Sequence, residues 1–281
     1  MGMSVNTNIG AMAALQSLNS TNKDLSTVQS RINTGLNVSS TKDDSAKYTV
    51  AQTLRGDQGV LTAVGSSLSR AKSTTDVAVA GAEQISDIVN QMKAKAKEAS
   101  DEGLDADSRA AIAKDFGALK DQIGSIIDSS SFNGTNLLKK EDAAAPGSGS
   151  VKALMSTDIT NGTTLTVANQ DFSTDVLDAI SAGAVDTAAN SKTMLTTLDT
   201  VGKAINTKLS TLGAASRNID GQSSFVSKLS DTIAAGIGNL VDADLAKESA
   251  KLQALQVKQQ LGVQALSIAN QAPQTITSLF R

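Results

Sequence analysis

Apolar residues recur at every seventh position through the second half of the chain. The repeat comprises Leu198, Ile205, Leu212, Ile219, Val226, Ile233 and Leu240. Two turns of an α-helix take about seven residues, so this spacing places the side chains on one stripe of a long helix. Past Asp242 the phase shifts, and the apolar positions become Leu245, Leu252, Leu255 and Leu266. The shift predicts a joint near Asp242 that separates two helical segments.

Three further segments carry apolar residues alternately three and four positions apart, which is typical of amphipathic helices. The first runs from Val5 to Ile32 and is predicted to end near Gly35. The second comprises Leu61, Val64, Leu68, Ala71, Thr75, Ala78, Ala82, Ile85, Val89, Met92, Ala96 and Ala99. The third comprises Ile112, Phe116, Leu119, Ile123 and Ile126. Only a short loop separates the last two, which predicts an antiparallel helical hairpin.

A contrasting region lies between these helices, at residues 129–189. The Asn133-Gly134 pair predicts a β-hairpin, because both residue types accept the backbone of a tight hairpin turn. The run from Thr163 to Val167 predicts a strand, with a turn before it at Asn161-Gly162. Pro146 lies in a glycine-containing stretch that predicts a flexible turn. We therefore expect a mainly α fold, an elongated antiparallel helical bundle or coiled coil with a small β-hairpin-containing insert.

The composition excludes most enzyme classes. The 281 residues include no cysteine and no histidine, which removes thiol nucleophiles, the commonest general base and nearly every zinc or haem site. Lys and Arg total 25 against 28 Asp and Glu, which argues against a nucleic-acid partner. No apolar run approaches about 18 residues, so we expect no membrane insertion. We predict that the chain is not an enzyme and has no catalytic residue, metal site or cofactor.

The apolar stripes at the two chain ends are too long for one small domain to cover. An intramolecular coiled coil of the two ends is one explanation, and association with other copies of the chain is the other. We favour association, because exposed stripes of this size mark interaction sites and open packing of such ends produces filaments. The predicted self-assembly interface comprises Val5, Ile9, Leu15, Leu18, Leu25, Val28, Ile32, Leu245, Leu252, Leu255, Leu266 and Leu279.

A compact charged cluster, Lys42, Asp43 and Asp44, lies in a serine-rich stretch between two predicted helices. It is explained either by a solvated loop with a helix N-cap or by a joint between domains, and spacing alone does not decide. We predict that these three residues form the inter-domain joint. The predicted domains are a terminal coiled-coil assembly domain (1–44 and 245–281), a helical bundle domain (45–128 and 190–244) and the strand and loop insert (129–189).

Motifs at both ends resemble bacterial flagellins. In the first half of the chain they are Val5-Asn6-Thr7-Asn8, Gln29–Leu36, Ser39–Ala46 and Phe132–Leu138. In the last third they are Asp242-Ala243-Asp244, Ala269–Gln274 and Ser278–Arg281. The paired end motifs occur in the family's order, on both sides of the insert, which makes the resemblance specific.

The resemblance implies a structural subunit that self-assembles through its terminal helices into the bacterial flagellar filament used for swimming motility. The terminal helices would form the layer that lines the filament channel. The resemblance also implies an extracellular location, reached through the flagellar export apparatus with its chaperone and without a cleaved signal peptide. Filament cap and hook-junction proteins would be further partners, and surface Ser and Thr would be sites for O-linked glycans. A hook–filament junction protein of the same helical architecture is the alternative.

Overall fold

A computed structural model describes residues 7–140, 149–155 and 164–279 of the chain, with side chains as far as residue 271. The chain divides into a terminal unit, Met1–Gln58 with Thr232–Arg281, and a central unit, Gly59–Asp231. The helices are α1 (Ile9–Thr34), α2 (Ser45–Ala99), α3 (Ala106–Ser129), α4 (Ala179–Ser181), α5 (Ala188–Val241) and α6 (Leu245–Leu279), with a π-helical turn at Ser173–Asp178 before α4. The predicted mainly α class is confirmed, whereas the predicted three-part division stays a prediction.

Helix α1 begins and ends at residues that satisfy its free backbone groups. The side chain of Asn8 accepts a hydrogen bond from the amide of Ala11 at 3.0 Å. At the other end Gly35 has a φ of 72° and donates its amide to the carbonyl of Arg31 at 2.8 Å. Glycine tolerates this left-handed backbone because it has no β-carbon. The predicted end of the first helix near Gly35 is confirmed.

Helix α2 begins earlier than the apolar spacing indicates, at Ser45 instead of near Leu61. Asp44 accepts a hydrogen bond from the amide of Lys47 at 3.0 Å, which satisfies one backbone group of the first turn. A small apolar cluster of the terminal unit comprises Val38, Ala51, Ile237 and Val241, with Leu36, Tyr48, Leu54, Ile233 and Leu240 partly buried against it. The early part of α2 contributes to a cluster built from distant segments, so its own spacing does not show it.

The core of the central unit is built on α2. All the residues of the stripe predicted from Leu61 to Ala99 are buried. The helix packs antiparallel to α3, since Lys95 contacts Asp115 at 2.9 Å while the guanidinium of Arg109 bonds to the carbonyl of Ala99. The predicted helical hairpin is therefore confirmed.

Helix α5 also runs antiparallel to α2 in this unit. Lys72 contacts Asp220 at 3.0 Å, and Lys93 contacts Asp199 at 2.9 Å. The first five heptad positions of α5, from Leu198 to Val226, are buried. The break predicted near Asp242 is confirmed, because α5 ends at Val241 and α6 begins at Leu245.

The predicted stripe of α3 needs one correction. Ile112, Phe116 and Ile123 are buried as expected, but Leu119 and Ile126 are only half-buried and Ile127 is buried. A straight helix turns away from a heptad stripe by about 20° per heptad, so the buried face moves to a neighbouring position along its length.

Among the residues that the structure describes, four short strands form two separate antiparallel sheets. Strands β1 (Ser131–Phe132) and β2 (Thr135–Asn136) are joined by Asn133 and Gly134, whose φ angles of 50° and 79° confirm the predicted two-residue hairpin turn. Strands β3 (Val151–Leu154) and β4 (Thr164–Val167) form the second sheet. Strand β4 was predicted and β3 was not. The turns predicted at Pro146 and at Asn161-Gly162 lie outside the described residues.

Candidate assembly interface

Helices α1 and α6 of the terminal unit form an antiparallel pair held by polar contacts along its length. Residue numbers rise along α1 as their partners' numbers fall along α6. The contacts are Asn8 Nδ2 to the carbonyl of Ala269 at 2.7 Å, Gln259 Nε2 to Asn22 Oδ1 at 2.8 Å and Arg31 Nη1 to Glu248 Oε1 at 3.4 Å. The two chain ends, more than 200 residues apart in sequence, therefore come together as one helical pair.

The outer part of α1 carries large apolar side chains that the chain itself does not cover. Ile9 is 76% exposed and Leu15 is 48% exposed, and Met12 lies between these two values. Among the residues of α1, only Thr21 and Val28 are buried. A helix whose apolar stripe stays this accessible lacks most of the cover that such stripes normally receive.

Helix α6 is also apolar on its exposed side. Leu245, Val257, Leu261, Val263 and Ile268 are each about half exposed or more. Leu255 is buried on the same helix, and Gly262 lies close to the side chain of Leu18 on α1. The described part of α6 therefore has apolar residues both where it meets α1 and where it faces solvent. A helix with apolar residues on most sides is normally buried on most sides.

The predicted interface residues fall into three classes of burial. Ile9, Leu15 and Leu245 are exposed; Leu18, Leu25, Ile32, Leu252 and Leu266 are half-buried; Val28 and Leu255 are buried. Val5 lies outside the described residues, as does the side chain of Leu279. The pairing of α1 with α6 brings the two predicted stripes together and leaves much of their apolar surface uncovered. Whether these residues contact other copies of the chain stays a prediction at this point.

Sequence reasoning missed the outward-facing apolar residues of α6. Val257, Leu261 and Ile268 are spaced four and seven positions apart, which is itself a helical ladder. It is out of phase with the ladder of Leu245, Leu252 and Leu266. Two ladders of different phase on one helix were therefore the available signal for a second apolar face.

The predicted joint residues lie in the loop between α1 and α2. One carboxylate oxygen of Asp43 accepts hydrogen bonds from the hydroxyls and the amides of Ser39 and Ser40, at 3.0 to 3.2 Å. These bonds, led by the hydroxyl of Ser39, hold the pKa of Asp43 below its ordinary value. Asp44 caps α2 as described above, whereas Lys42 is exposed and its amide bonds to the hydroxyl of Ser40. The N-cap explanation therefore fits Asp44, and a role of the three residues as a joint stays a prediction.

Backbone hydrogen bonds tie this loop to the short connection between α5 and α6. Asn37 donates its amide to the carbonyl of Val241 at 2.7 Å, and Ala243 donates to the carbonyl of Gly35 at 2.9 Å. Leu36 and Asp242 form an isolated antiparallel bridge between them. Asp244 then caps α6 by accepting from the amides of Ala246 and Lys247. The two loops thus hold the adjoining ends of α1 and α6 side by side.

The α1–α6 pair has features of a protein-binding surface. Within residues 7–140, 149–155 and 164–279, no cluster of three or more acidic side chains is placed to hold a metal ion. None of the described helices is long and apolar enough to cross a membrane. The distinguishing property of the α1–α6 pair is uncovered apolar surface on a scaffold of fixed polar contacts.

Known proteins resemble this chain along its whole length. The bacterial flagellin N-terminal helical region matches residues 5–143, and the bacterial flagellin C-terminal helical region matches residues 195–280. Flagellin FljM of Caulobacter vibrioides is 45% identical over 278 residues, which cover 99% of this chain and 98% of that protein. The flagellin of Brucella melitensis is 37% identical over 281 residues, with 99% of each chain covered. The chain belongs to the bacterial flagellin family.

Solved structures share the fold at lower identity. The crystal structure of Bacillus cereus flagellin has a TM-score of 0.50 and 23% identity, covering 56% of this chain and 86% of that one. A flagellar hook-associated protein of Vibrio parahaemolyticus has a TM-score of 0.60 and 14% identity, covering 71% of this chain and 100% of that one. These similarities support the helical fold alone.

Membership of the flagellin family fixes the general role of the chain. It is a structural subunit of the extracellular flagellar filament, it polymerises into that filament, and it is not an enzyme. The matched regions include α1 and α6 and exclude residues 144–194, where strands β3 and β4 lie. The family match therefore includes the part of the chain where the uncovered apolar surface of α1 and α6 lies, together with most of the central helices.

Proposed function

We propose that the chain self-assembles by burying the exposed apolar residues of α1 and α6 against the same helices of neighbouring copies. The observation that carries the proposal is the uncovered apolar surface on both helices, above all at Ile9, Leu261 and Ile268. Burial contributes about 25 cal/mol per Å² of apolar area, so several such side chains per contact give a stable polymer.

The pairing of α1 with its own α6 does not make assembly unnecessary. In the alternative of a closed intramolecular coiled coil, the apolar ladders would be covered within one chain. The exposure of Ile9, Leu15 and Leu261 argues against that alternative. Two different helices also present different surfaces, which favours head-to-tail contacts that leave a new free surface after each addition. Such contacts extend into a filament.

Truncation tests whether the terminal helices are needed. A chain that lacks residues 1–35, and another that lacks residues 245–281, are each mixed with filament seeds. We expect neither to sediment as polymer or to form filaments in electron micrographs, while circular dichroism still shows the helices of the central unit. If either truncated chain polymerises as readily as the full chain, the proposal is wrong.

Point substitutions test the surface itself. Leu261 on α6 is 58% exposed, and Phe225 on α5 in the central unit is 57% exposed. Leu261→Ser removes apolar area from the proposed interface, and Phe225→Ser is the matched control at an equally exposed site. We expect Leu261→Ser to raise the critical concentration for polymerisation about tenfold and Phe225→Ser to change it much less. The loss of an apolar contact of this size costs about 1 to 2 kcal/mol of binding free energy, which corresponds to about a tenfold change. Equal effects of the two substitutions would argue against α6 as the interface.

The hook–filament junction is the second candidate from the sequence. The hook-associated protein of Vibrio parahaemolyticus shares the fold at only 14% identity, whereas the relatives at 37% and 45% identity are named flagellins. These observations favour the filament. Purified chain that grows long filaments from seeds without another subunit supports the filament role, and growth that stops after a few subunits supports the junction role.

The remaining partners are proposals that rest on the family resemblance. We propose export through the flagellar export apparatus with a chaperone, contacts with filament cap and hook-junction proteins, and O-linked glycans on surface Ser and Thr. Two prolines and no cysteine suit passage as an unfolded chain, because slow proline isomerisation and disulfide formation are nearly absent. Mass spectrometry of the protein taken from filaments tests for the glycans.

A further inference from the structure

One ion pair between α1 and α6 differs from the exposed ion pairs of the central unit. Arg31 and Glu248 meet at 3.4 Å, with 27% of the arginine side chain and 11% of the glutamate side chain exposed. Charged side chains at this degree of burial are costly unless they are paired. The pair therefore acts as a constraint on how the two helices meet, since any arrangement that separates it leaves a buried charge.

Each member of the pair also has a buried atom without a hydrogen-bond partner among the described residues. These atoms are Nε of Arg31 and Oε2 of Glu248. The first can only donate and the second can only accept, so they are chemically complementary. A small rotation that brings them together would convert the single contact into a two-bond fork, which is the arrangement that arginine and carboxylate groups favour. No other residue type at position 31 offers that geometry.

The apolar residues of the pair do not fix its register by themselves. On α1, Leu18, Leu25 and Ile32 recur every seven residues. Sliding α1 by one heptad puts Leu25 and Ile32 in the places of Leu18 and Leu25, so those two apolar contacts are kept, whereas the place of Ile32 goes to Ser39 beyond the end of α1. In helical pairs of this kind, a polar residue at a single position commonly selects one register. Because the apolar ladder repeats in part, a polar pair adds to the backbone bonds at Gly35 and Asn37 that already tie the adjoining ends of α1 and α6.

The structure shows what one heptad of slip would do. In the observed register Gln259 bonds to Asn22, and Arg31 meets Glu248. A slip of seven residues that brings Gln29 opposite Gln259 also brings Arg31 opposite Leu255, a buried apolar residue. It moves Glu248 past the end of α1. One slip thus leaves both charges unpaired.

We propose that Arg31 and Glu248, together with the backbone bonds between the two adjoining loops, select the register of the α1–α6 pair and thereby determine which apolar residues remain outside for neighbouring copies. The second half of this statement rests on the proposed function, and the first half does not. Arg31 and Glu248 are positioning residues, because they act through the placement of the two helices and need not contact another copy.

Cysteine trapping measures the register directly, since the chain has no cysteine of its own. The variant Asn22→Cys/Gln259→Cys reports the observed register. The matched variant Gln29→Cys/Gln259→Cys reports the register shifted by one heptad, and both pairs replace only polar residues. After mild oxidation of soluble chain and of polymer, non-reducing gels and mass spectrometry separate disulfides within one chain from disulfides between chains. With Arg31 and Glu248 intact, we expect the first pair to form an intrachain disulfide and the second to form almost none.

Charge variants then test the cause. Arg31→Glu and Glu248→Arg each place like charges together. We expect each to lower the yield of the disulfide between positions 22 and 259 and raise the yield of the disulfide between positions 29 and 259, which changes the ratio of the two yields by about tenfold. The exchange Arg31→Glu/Glu248→Arg restores opposite charges and should restore the ratio. Arg31→Lys keeps the positive charge but cannot form a two-bond fork with the carboxylate, so the ratio of the two disulfide yields should be intermediate. A merely structural need for bulk at these positions would not produce rescue by the exchange.

The outcomes are separable. If the single charge variants leave the ratio of the two traps unchanged, or if the exchange fails to restore it, the proposal is wrong. If the traps behave as expected but Leu261→Ser has no effect on polymerisation, the register proposal stands and the proposed interface fails. If the register shifts and polymerisation is lost together and both return in the exchange variant, the two proposals are supported jointly.

Discussion

The central and terminal units use similar amphipathic helices but cover them differently. In the central unit α2 packs against both α3 and α5, and the apolar stripe from Leu61 to Ala99 is buried. In the terminal unit α1 and α6 pair with each other, and Ile9, Leu15 and Leu261 remain about half exposed or more. Three helices can enclose an apolar stripe, whereas two helices cover only one side of each other. The same sequence pattern therefore gives a core in one unit and a binding surface in the other.

The largest expected effect is a difference in the free energy of unfolding between two variants, each with one leucine replaced, one in the central unit and one in the terminal unit. Leu68 is completely buried in the central unit, so Leu68→Ala should lower the free energy of unfolding by about 2 to 5 kcal/mol. Leu15→Ala should lower it by less than about 1 kcal/mol, because that side chain is already half exposed. Urea unfolding of the soluble chain measures both. Polymerisation assays should show the reverse order for variants that still fold, and equal losses of stability would contradict the distinction between the units.

A smaller effect is expected where the central unit is most tightly packed. A β-carbon at Gly81 on α2 would overlap the hydroxyl of Ser130 and lie 2.9 Å from Cδ1 of Leu138. Gly81→Ala should therefore destabilise the chain by about 1 to 3 kcal/mol. Gly65, on the same helix, has no atom within 4 Å of that position, so Gly65→Ala should be neutral or stabilising by up to about 1 kcal/mol. Thermal unfolding of both variants decides the prediction, and similar melting temperatures would contradict it.

Acid should weaken both units through particular carboxylates. Asp43 in the terminal unit accepts hydrogen bonds from Ser39 and Ser40, and Glu102 in the central unit accepts one from Lys192, so the pKa of each lies below its ordinary value. The folded state thus favours their ionised forms. This contribution is complete above the ordinary pKa values of about 4 and is lost as the pH falls through the lowered ones.

The acid prediction is checked by urea unfolding between neutral pH and about pH 3. Asp43→Asn should be less stable than the unchanged chain at neutral pH, and the difference should shrink as the pH falls below about 4. Glu102→Gln provides the corresponding comparison for the central unit. A difference that stays constant with pH would show that ionisation of these groups does not contribute.

The smallest effect is expected at an exposed ion pair of the central unit. Lys72 meets Asp220 at 3.0 Å, with 58% of the aspartate side chain exposed. Lys72→Met should change the free energy of unfolding by less than about 1 kcal/mol, because solvent and salt weaken such pairs. The difference should fall further in about 1 M salt. A larger loss that persists in salt would contradict the prediction, because salt screens an exposed ion pair.

Several elements could be predicted because their causes are local. The end of α1 at Gly35 and the turn at Asn133-Gly134 follow from residue types that fix a helix end or a turn. The break at Asp242 follows from the change of phase in the apolar spacing. The buried stripe of α2 followed from its regular spacing. Periodicity indicates which side of a helix is apolar, and that property depends only on residues close together in the sequence.

Other elements depend on contacts between distant residues and escaped prediction. The first turns of α2 belong to a cluster completed by Ile237 and Val241, and strand β3 is defined by its pairing with β4. The pair of Arg31 and Glu248 joins positions 217 residues apart. The outward apolar residues of α6 were visible as a second ladder, but spacing does not tell which ladder a partner covers.

The hydrogen bonds between the two loops of the terminal unit determine which substitutions these loops can accept. Asn37 donates its backbone amide to the carbonyl of Val241, and Ala243 donates its backbone amide to the carbonyl of Gly35. Every amino acid carries these groups except proline, which lacks the amide hydrogen. Positions 37 and 243 can therefore take any residue other than proline that is compatible with the local backbone, without losing these two hydrogen bonds.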